Sequence, residues 1–179
     1  MKIGFDLDGV LINKPYFIPK YIIERLYRTG EKVLNYRFPN NFEILIRKIS
    51  HNPIFRSKIK DNIKFINELS RTKNSLFLIS SRFSFLKKET EELIIYNGFN
   101  KIFKGIYINY LNAQPHIFKD EVIKKNKINI YIDDDFLLIK FLAKENKQTK
   151  FYWLNKNINK KITKNLLAIT KLSYIILSL

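Results

Sequence analysis

Five short runs rich in β-branched and aromatic residues, at positions 2–6, 75–80, 104–108, 128–133 and 149–154, alternate with stretches whose apolar residues recur every three or four positions. That alternation leaves few architectures open. The runs are nearly continuous in apolar character, as strands covered on both faces must be. Strands joined through helices lie parallel, so the expected fold class is α/β, a parallel five-stranded sheet with helices on both faces. Ile59, Ile63, Ile66 and Leu69 trace one helix, and Leu86, Leu93 and Tyr96 another that stops at Gly98; Phe136 to Asn146 and Ile162 to Leu179 are further helix candidates.

One spacing breaks the rhythm. The first strand ends near Asp8 and the second begins near Ser75, a gap of roughly 60 residues, about twice what a crossover needs. Phe17 to Arg28 and Asn41 to Ser50 read as amphipathic helices punctuated by Pro15, Pro19, Pro39 and Pro53. We therefore expect one domain over residues 1–179, with residues 13–54 forming a small helical insert over the site and Phe55 to Thr72 the true crossover helix.

Composition narrows the classes further. At 179 residues and 46% hydrophobic, the chain can bury a sizeable core. Zero cysteines exclude disulfides, thiolate metal sites and cysteine nucleophiles, which suits a reducing, cytoplasmic setting. With its first strand starting at Lys2 the chain is expected to have no signal peptide, and the apolar tract from Leu166 to Leu179 is shorter than the ~20 residues of a membrane span. The net charge of +17 favours a phosphorylated partner and leaves nucleic acid open. Yet most of the 33 basic residues are lysine, and Ile and Asn are abundant, a pattern that AT-rich codons also produce. Nothing in the sequence sets the oligomeric state.

In parallel sheets ligands bind beyond the carboxyl ends of the strands, and the chemistry-bearing residues of this chain fall there. The first strand runs into Asp6-Leu7-Asp8-Gly9-Val10. Two carboxylates at that position are poorly explained by packing. One can attack or hold a cation while its neighbour, its pKa raised by the adjacent negative charge, carries a proton. The second strand ends in Ser80, Ser81 and Arg82, hydroxyls and a guanidinium suited to phosphate. Arg82 is equally suited to pairing with acidic residues. The fourth ends in Asp133-Asp134-Asp135, mutually repelling charges that call for a divalent cation. Lys119, 14 residues before Asp133 in the preceding helix, returns to the same edge. Trp153 reads as a packing residue, and His51 and His116 have no partner spacing that suggests a ligand set.

These four segments, in this order, resemble the motifs of the haloacid dehalogenase superfamily: DxDGV at Asp6 to Val10, a strand-terminal Ser80, Lys119, and the acidic pair Asp133 and Asp134. The resemblance implies a Rossmann-like sheet and a magnesium-dependent phosphatase. Asp6 would attack phosphorus to form an aspartyl-phosphate, and Asp8 would protonate the leaving oxygen and then activate water. Mg2+ would be held by Asp6, the backbone carbonyl of Asp8 and Asp134, with Asp133 an alternative or additional ligand. Ser80 and Lys119 would stabilise the transferring oxygens. Within the superfamily, the insert after the first motif, the SSR sequence and the terminal acidic pair resemble the 5'(3')-deoxyribonucleotidase-like group, which implies a nucleotide or other small phosphomonoester as substrate. A polynucleotide-end phosphatase, or a basic nucleic-acid-binding protein on the same scaffold, is the other reading.

Overall fold

The computed structural model describes residues 1–14 and 34–178. The strands are β1 (Lys2–Phe5), β2 (Ser75–Ser80), β3 (Gly105–Ile108), β4 (Ile130–Asp133), β5 (Lys150–Leu154), β6 (Lys160–Thr163) and β7 (Leu166–Ile169). They form one sheet in the order β3-β2-β1-β4-β5-β7-β6, parallel except for the β6–β7 pair. The helices are α1 (Asn41–Ser50), α2 (Lys60–Ser70), α3 (Lys87–Tyr96), the single-turn α4 (Phe99–Ile102), α5 (Pro115–Asn126) and α6 (Phe136–Glu145).

The sheet therefore has seven strands where the sequence suggested five. The two added strands lie where a helix was expected from Ile162 to Leu179. Leu166 to Ile169 is a short, unbroken apolar run, a pattern that suits a buried strand or a buried helix equally until its neighbours are known. Here the neighbours decide. β7 pairs in parallel with β5, from Phe151 opposite Leu166 to Leu154 opposite Ile169, and β6 folds back antiparallel against it.

Period-2 alternation sends successive strand residues to opposite faces, and two separate cores result. Ile3, Phe5, Leu76, Leu78, Ile130 and Ile132 pack with Phe65, Ile66 and Leu69 of α2 and Leu93 and Ile94 of α3. Phe77, Ile79, Tyr131 and Phe151 pack on the other side with Val122 and Ile123 of α5 and Leu138, Ile139 and Leu142 of α6. Gly4 faces the second of these cores. A Cβ there would meet Tyr131 Cδ2 at 2.9 Å, so only glycine lets the Tyr131 ring lie across β1.

The expected helix at 17–28 lies outside the described residues. Helix α1 occupies the range expected of it. Its start is a capping box: the Asn40 side chain accepts from the Glu43 N–H and the Glu43 carboxylate accepts from the Asn40 N–H, both at 2.9 Å. Its polarity is inverted relative to an ordinary surface helix. Arg47 and Ser50 are buried, whereas Phe42, Leu45 and Ile49 are exposed. The crossover helix α2 starts at Lys60, after a 3-10 turn at Pro53–Phe55. Residues 11–13 and 57–59 are clasped together by Asn13 N–H to Ser57 O (2.9 Å), Ile59 N–H to Leu11 O (2.9 Å) and an antiparallel bridge between Ile12 and Lys58. Among the described residues no helix is long and apolar enough to cross a membrane.

Candidate active site

β1, β2 and β4 are neighbours in the sheet and all point the same way, so Asp6, Ser80 and Asp133 reach one edge side by side. The chain continues past β1 as a tight loop. The Asp6 N–H still donates to Ile132 O (3.0 Å), and Leu11 and Ile12 N–H both return to Leu7 O at 3.0 Å. Gly9 takes φ of +83°, and a Cβ there would lie 2.2 Å from Asp134 Oδ2. Glycine is required twice over: for the left-handed backbone and for room to let the Asp134 carboxylate approach. Asn62 of α2 fastens the loop from outside, donating to Val10 O at 2.7 Å.

The resulting open cleft, about 1510 Å³, is lined by every residue singled out in the sequence: Asp6, Asp8, Ser80, Ser81, Arg82, Lys119, Asp133 and Asp134. Tyr36 and, from α1 and its end, Arg47, Ser50 and His51 line it too.

Lys119, only 2% exposed, bridges two carboxylates, donating to Asp6 Oδ1 at 2.8 Å and Asp133 Oδ2 at 2.7 Å. Burial works against its charge, but the Asp133 and Asp6 carboxylates outweigh burial and hold the ammonium well above the usual lysine range. Asp133 uses both oxygens: its Oδ2 also accepts from the Tyr131 hydroxyl (3.0 Å) and its Oδ1 from the Asp135 N–H (2.9 Å). These bonds position Asp133 against Lys119, and its Oδ1, which accepts the Asp135 N–H, keeps a lone pair for a cation. Asp135 caps α6, accepting from the Leu138 N–H at 3.2 Å, and receives the Tyr36 hydroxyl at 2.8 Å.

Asp6, Asp133 and Asp134 each bring a carboxylate oxygen within 4.8 Å of the others. An all-oxygen donor set of this kind suits a hard divalent cation. Burial pushes the Asp134 carboxyl up to about 6 even though the Lys14 ammonium, 2.5 Å away, pulls it down. A carboxylate cluster that raises its own members' pKa is one that binding a cation would relieve. Trp153, expected only to pack, donates its indole N–H to the Asp134 carbonyl at 3.1 Å and so helps hold this loop.

Asp8 differs from expectation. Adjacent negative charge was expected to raise its pKa; instead two guanidinia lower it. Arg82 grips it with a fork, Nε to Oδ2 and Nη2 to Oδ1, both 2.8 Å, and Arg56 pairs with the same Oδ1. Burial alone would raise the Asp8 pKa, but Arg82 and Arg56 together hold it well below the usual carboxylate range. Burial and the same two arginines press His51 well below its ordinary value, so its imidazole is neutral at pH 7.

Arg47, His51 and Arg56 were not legible as site residues in the sequence. Arg56 reaches Asp8 only because the clasp at Ile12 and Lys58 brings residue 56 beside the loop after β1.

No protein-family model matches the chain, and no curated protein sequence matches it. Its likeness to solved structures is one of shape, and the class that shape defines is a Rossmann-like α/β fold with a mostly parallel sheet. A haloacid dehalogenase-like family hydrolase from Streptococcus pneumoniae superposes with a TM-score of 0.60 at 13% identity, over 99% of this chain and 98% of that one. A dehalogenase gives 0.65 at 9% identity, over 99% and 96%. A D,D-heptose 1.7-bisphosphate phosphatase from B. bronchiseptica, complexed with magnesium and phosphate, gives 0.57 at 8% identity, over 99% and 96%. The fold is that of the haloacid dehalogenase-like hydrolases.

Proposed function

We propose that the chain is a magnesium-dependent phosphatase that works through an aspartyl-phosphate on Asp6, acting on a nucleotide or another small phosphomonoester. The observation that carries this reading is the buried Lys119 ammonium bridging Asp6 and Asp133 at the carboxyl ends of β1 and β4. A buried cation against a carboxylate nucleophile suits an incoming dianionic phosphoryl group far better than a neutral substrate.

The Asp6 carboxylate oxygen attacks phosphorus as the bond to the leaving oxygen breaks, and the Asp8 carboxylate, having taken up the proton that a monoanionic phosphoryl group brings with it, passes that proton to the leaving oxygen. Water then attacks phosphorus, gives its proton to Asp8, and releases phosphate with Asp6 restored. Lys119 and Ser80 face the transferring oxygens. Asp6, Asp134 and the Asp8 carbonyl would hold Mg2+, which when bound neutralises charge on the phosphoryl group. In the observed geometry Arg82 and Arg56 hold Asp8 as a carboxylate, the state needed to take a proton from water. α1 lines the cleft with Arg47, Ser50 and His51, which fits a cap that contacts substrate.

The test is hydrolysis of p-nitrophenyl phosphate, then of a panel of nucleotides, sugar phosphates and 3'-phosphorylated oligonucleotides, with Mg2+ and with EDTA. Asp6→Asn protein should fold normally and lose essentially all turnover. Near wild-type rates from that variant would sink the mechanism. Preference for the oligonucleotides would move the reading to polynucleotide ends.

A further inference from the structure

Lys14 stands where the chain leaves the loop after β1, and its ammonium lies on the acidic side of the cleft. Nζ is 2.5 Å from Asp134 Oδ2, and the lysine side chain is 45% exposed. Its backbone is anchored, because the neighbouring Asn13 is tied to Ser57 twice: by its N–H to the Ser57 carbonyl (2.9 Å) and by Nδ2 to Oγ (3.0 Å). Burial works against the Lys14 charge, but Asp134, with Asp6 and Asp135 behind it, holds the ammonium above the usual lysine range, so it is a permanent cation near pH 7. The two lysines of the site thus differ. Lys119 is buried and locked between two carboxylates, whereas Lys14 is half open to solvent and pairs with Asp134.

That carboxylate has a second claimant. Asp134 is one of the three acids whose oxygens suit a divalent cation. An ammonium 2.5 Å from the same carboxylate would stand within a few ångströms of a dication coordinated there. Like charges that close repel in a partly buried cleft, whereas either cation alone is attracted. The weaker contact gives way. A half-exposed ion pair is of modest worth, and it competes with a dication shared by several ligands. With Asn13 anchored, the released ammonium travels no further than its own side chain allows, and it stays in the cleft that Lys14 lines. The anion it meets there is a phosphoryl group placed against Asp6 and Lys119.

We infer that Lys14 is an exchangeable counter-ion of the site: it pairs with Asp134 until a divalent cation claims that carboxylate, and then turns onto the phosphoryl oxygens of the substrate. This rests on the phosphatase reading above and adds a residue to it. Lys14 weakens metal binding in the free protein and strengthens phosphate binding in the metal-loaded one. Removing its charge should therefore move the two affinities in opposite directions, which loss of a merely structural contact would not do.

Calorimetry reads both affinities without turnover, with Mg2+ alone and then with inorganic phosphate at saturating Mg2+. Lys14→Met keeps an unbranched side chain and removes the charge. It should bind Mg2+ roughly 10-fold more tightly than wild type and, once Mg2+ is saturating, phosphate roughly 10-fold more weakly. Lys14→Arg, which keeps the charge, should stay near wild type in both. Lys88→Met, at a side chain 82% exposed on α3, removes the same net charge and should change neither. Mg2+ affinity in Lys14→Met equal to or weaker than wild type would overturn the exchange, since lysine and metal would then share Asp134 without conflict. Tighter Mg2+ binding with unchanged phosphate binding would overturn the turn onto the phosphoryl group. Mg2+ bound by neither protein would remove the metal from the site, and this role of Lys14 with it. Tighter Mg2+ binding in Lys14→Met, with phosphate bound by neither protein and no phosphomonoester hydrolysed, would uphold the exchange at Asp134 and remove the phosphatase reading instead.

Discussion

Asp6 and Asp8 stand two positions apart and keep opposite company: Asp6 faces a lysine shared with another carboxylate, Asp8 two arginines of its own. The sequence shows both acids but cannot show that difference, because Lys119 follows from its place before β4 whereas Arg56 depends on the clasp joining residues 11–13 to 57–59. Asp6, Ser80 and Asp134 were legible because a strand end announces each of them, and Lys119 because the helix before β4 returns it to the same edge. Asp134 makes a pH prediction possible. Its folded pKa of about 6 lies above the unfolded value, so it costs nothing at low pH, where both states are protonated. As pH rises through 4 to 6 the unfolded chain releases its proton first, and stability falls by up to about 3 kcal/mol. Asp8, with its depressed pKa, acts in the other direction at lower pH. Melting curves in EDTA should therefore show Asp134→Asn gaining on wild type between pH 4 and 6. An offset independent of pH would refute this. Mg2+ affinity should likewise weaken as pH falls below about 6, since the ligand must lose its proton. Gly9→Ala reaches the same carboxylate without touching it. The φ of +83° costs a side chain roughly 1–2 kcal/mol, and the new Cβ must displace Asp134. The expected outcome is a raised Mg2+ requirement in a protein that still folds, checked by metal titration.

At the scale of elements, α1 shows how a helix can be placed by its ends and by its polar face. Its capping box joins Asn40 to Glu43 three residues later. The helix itself was legible from its period but its inversion was not, because a helical period reveals an apolar stripe and not which way the stripe faces. Asn40→Ala should cost about 1 kcal/mol, equivalent to a fall of roughly 2–4 °C in Tm for a chain of this size. Because Arg47 and His51 ride on the same helix, KM should rise more than kcat falls. An unchanged KM with the lowered Tm would mean that α1 does not contact substrate. The missed strands teach the complementary lesson. Leu166 to Ile169 became a strand because β5 offered an edge whose partner residues lie 15 positions earlier in the chain, and no local pattern encodes such an offer.

For the whole molecule, the parallel order β3-β2-β1-β4-β5 accounts for the site, and the β7–β6 hairpin extends the sheet beyond it. The last strand, β6, exposes Lys160 and Lys161 and carries an irregularity in its pairing between Lys161 and Thr163. A sheet edge is a row of unused backbone donors and acceptors onto which another chain can add a strand. Lysines and kinks are what discourage such addition. Part of the +17 charge is thus placed where it would discourage copies of the chain from growing into one continuous sheet. Replacing Lys160 and Lys161 with Val should produce concentration-dependent light scattering, while the same two replacements at the helical positions Lys88 and Lys101 should not. Equal scattering from both pairs would reduce the edge lysines to their contribution to net charge. The strand that was hardest to read in the sequence is then the one whose lysines and kink guard the folded chain against its own β-structure.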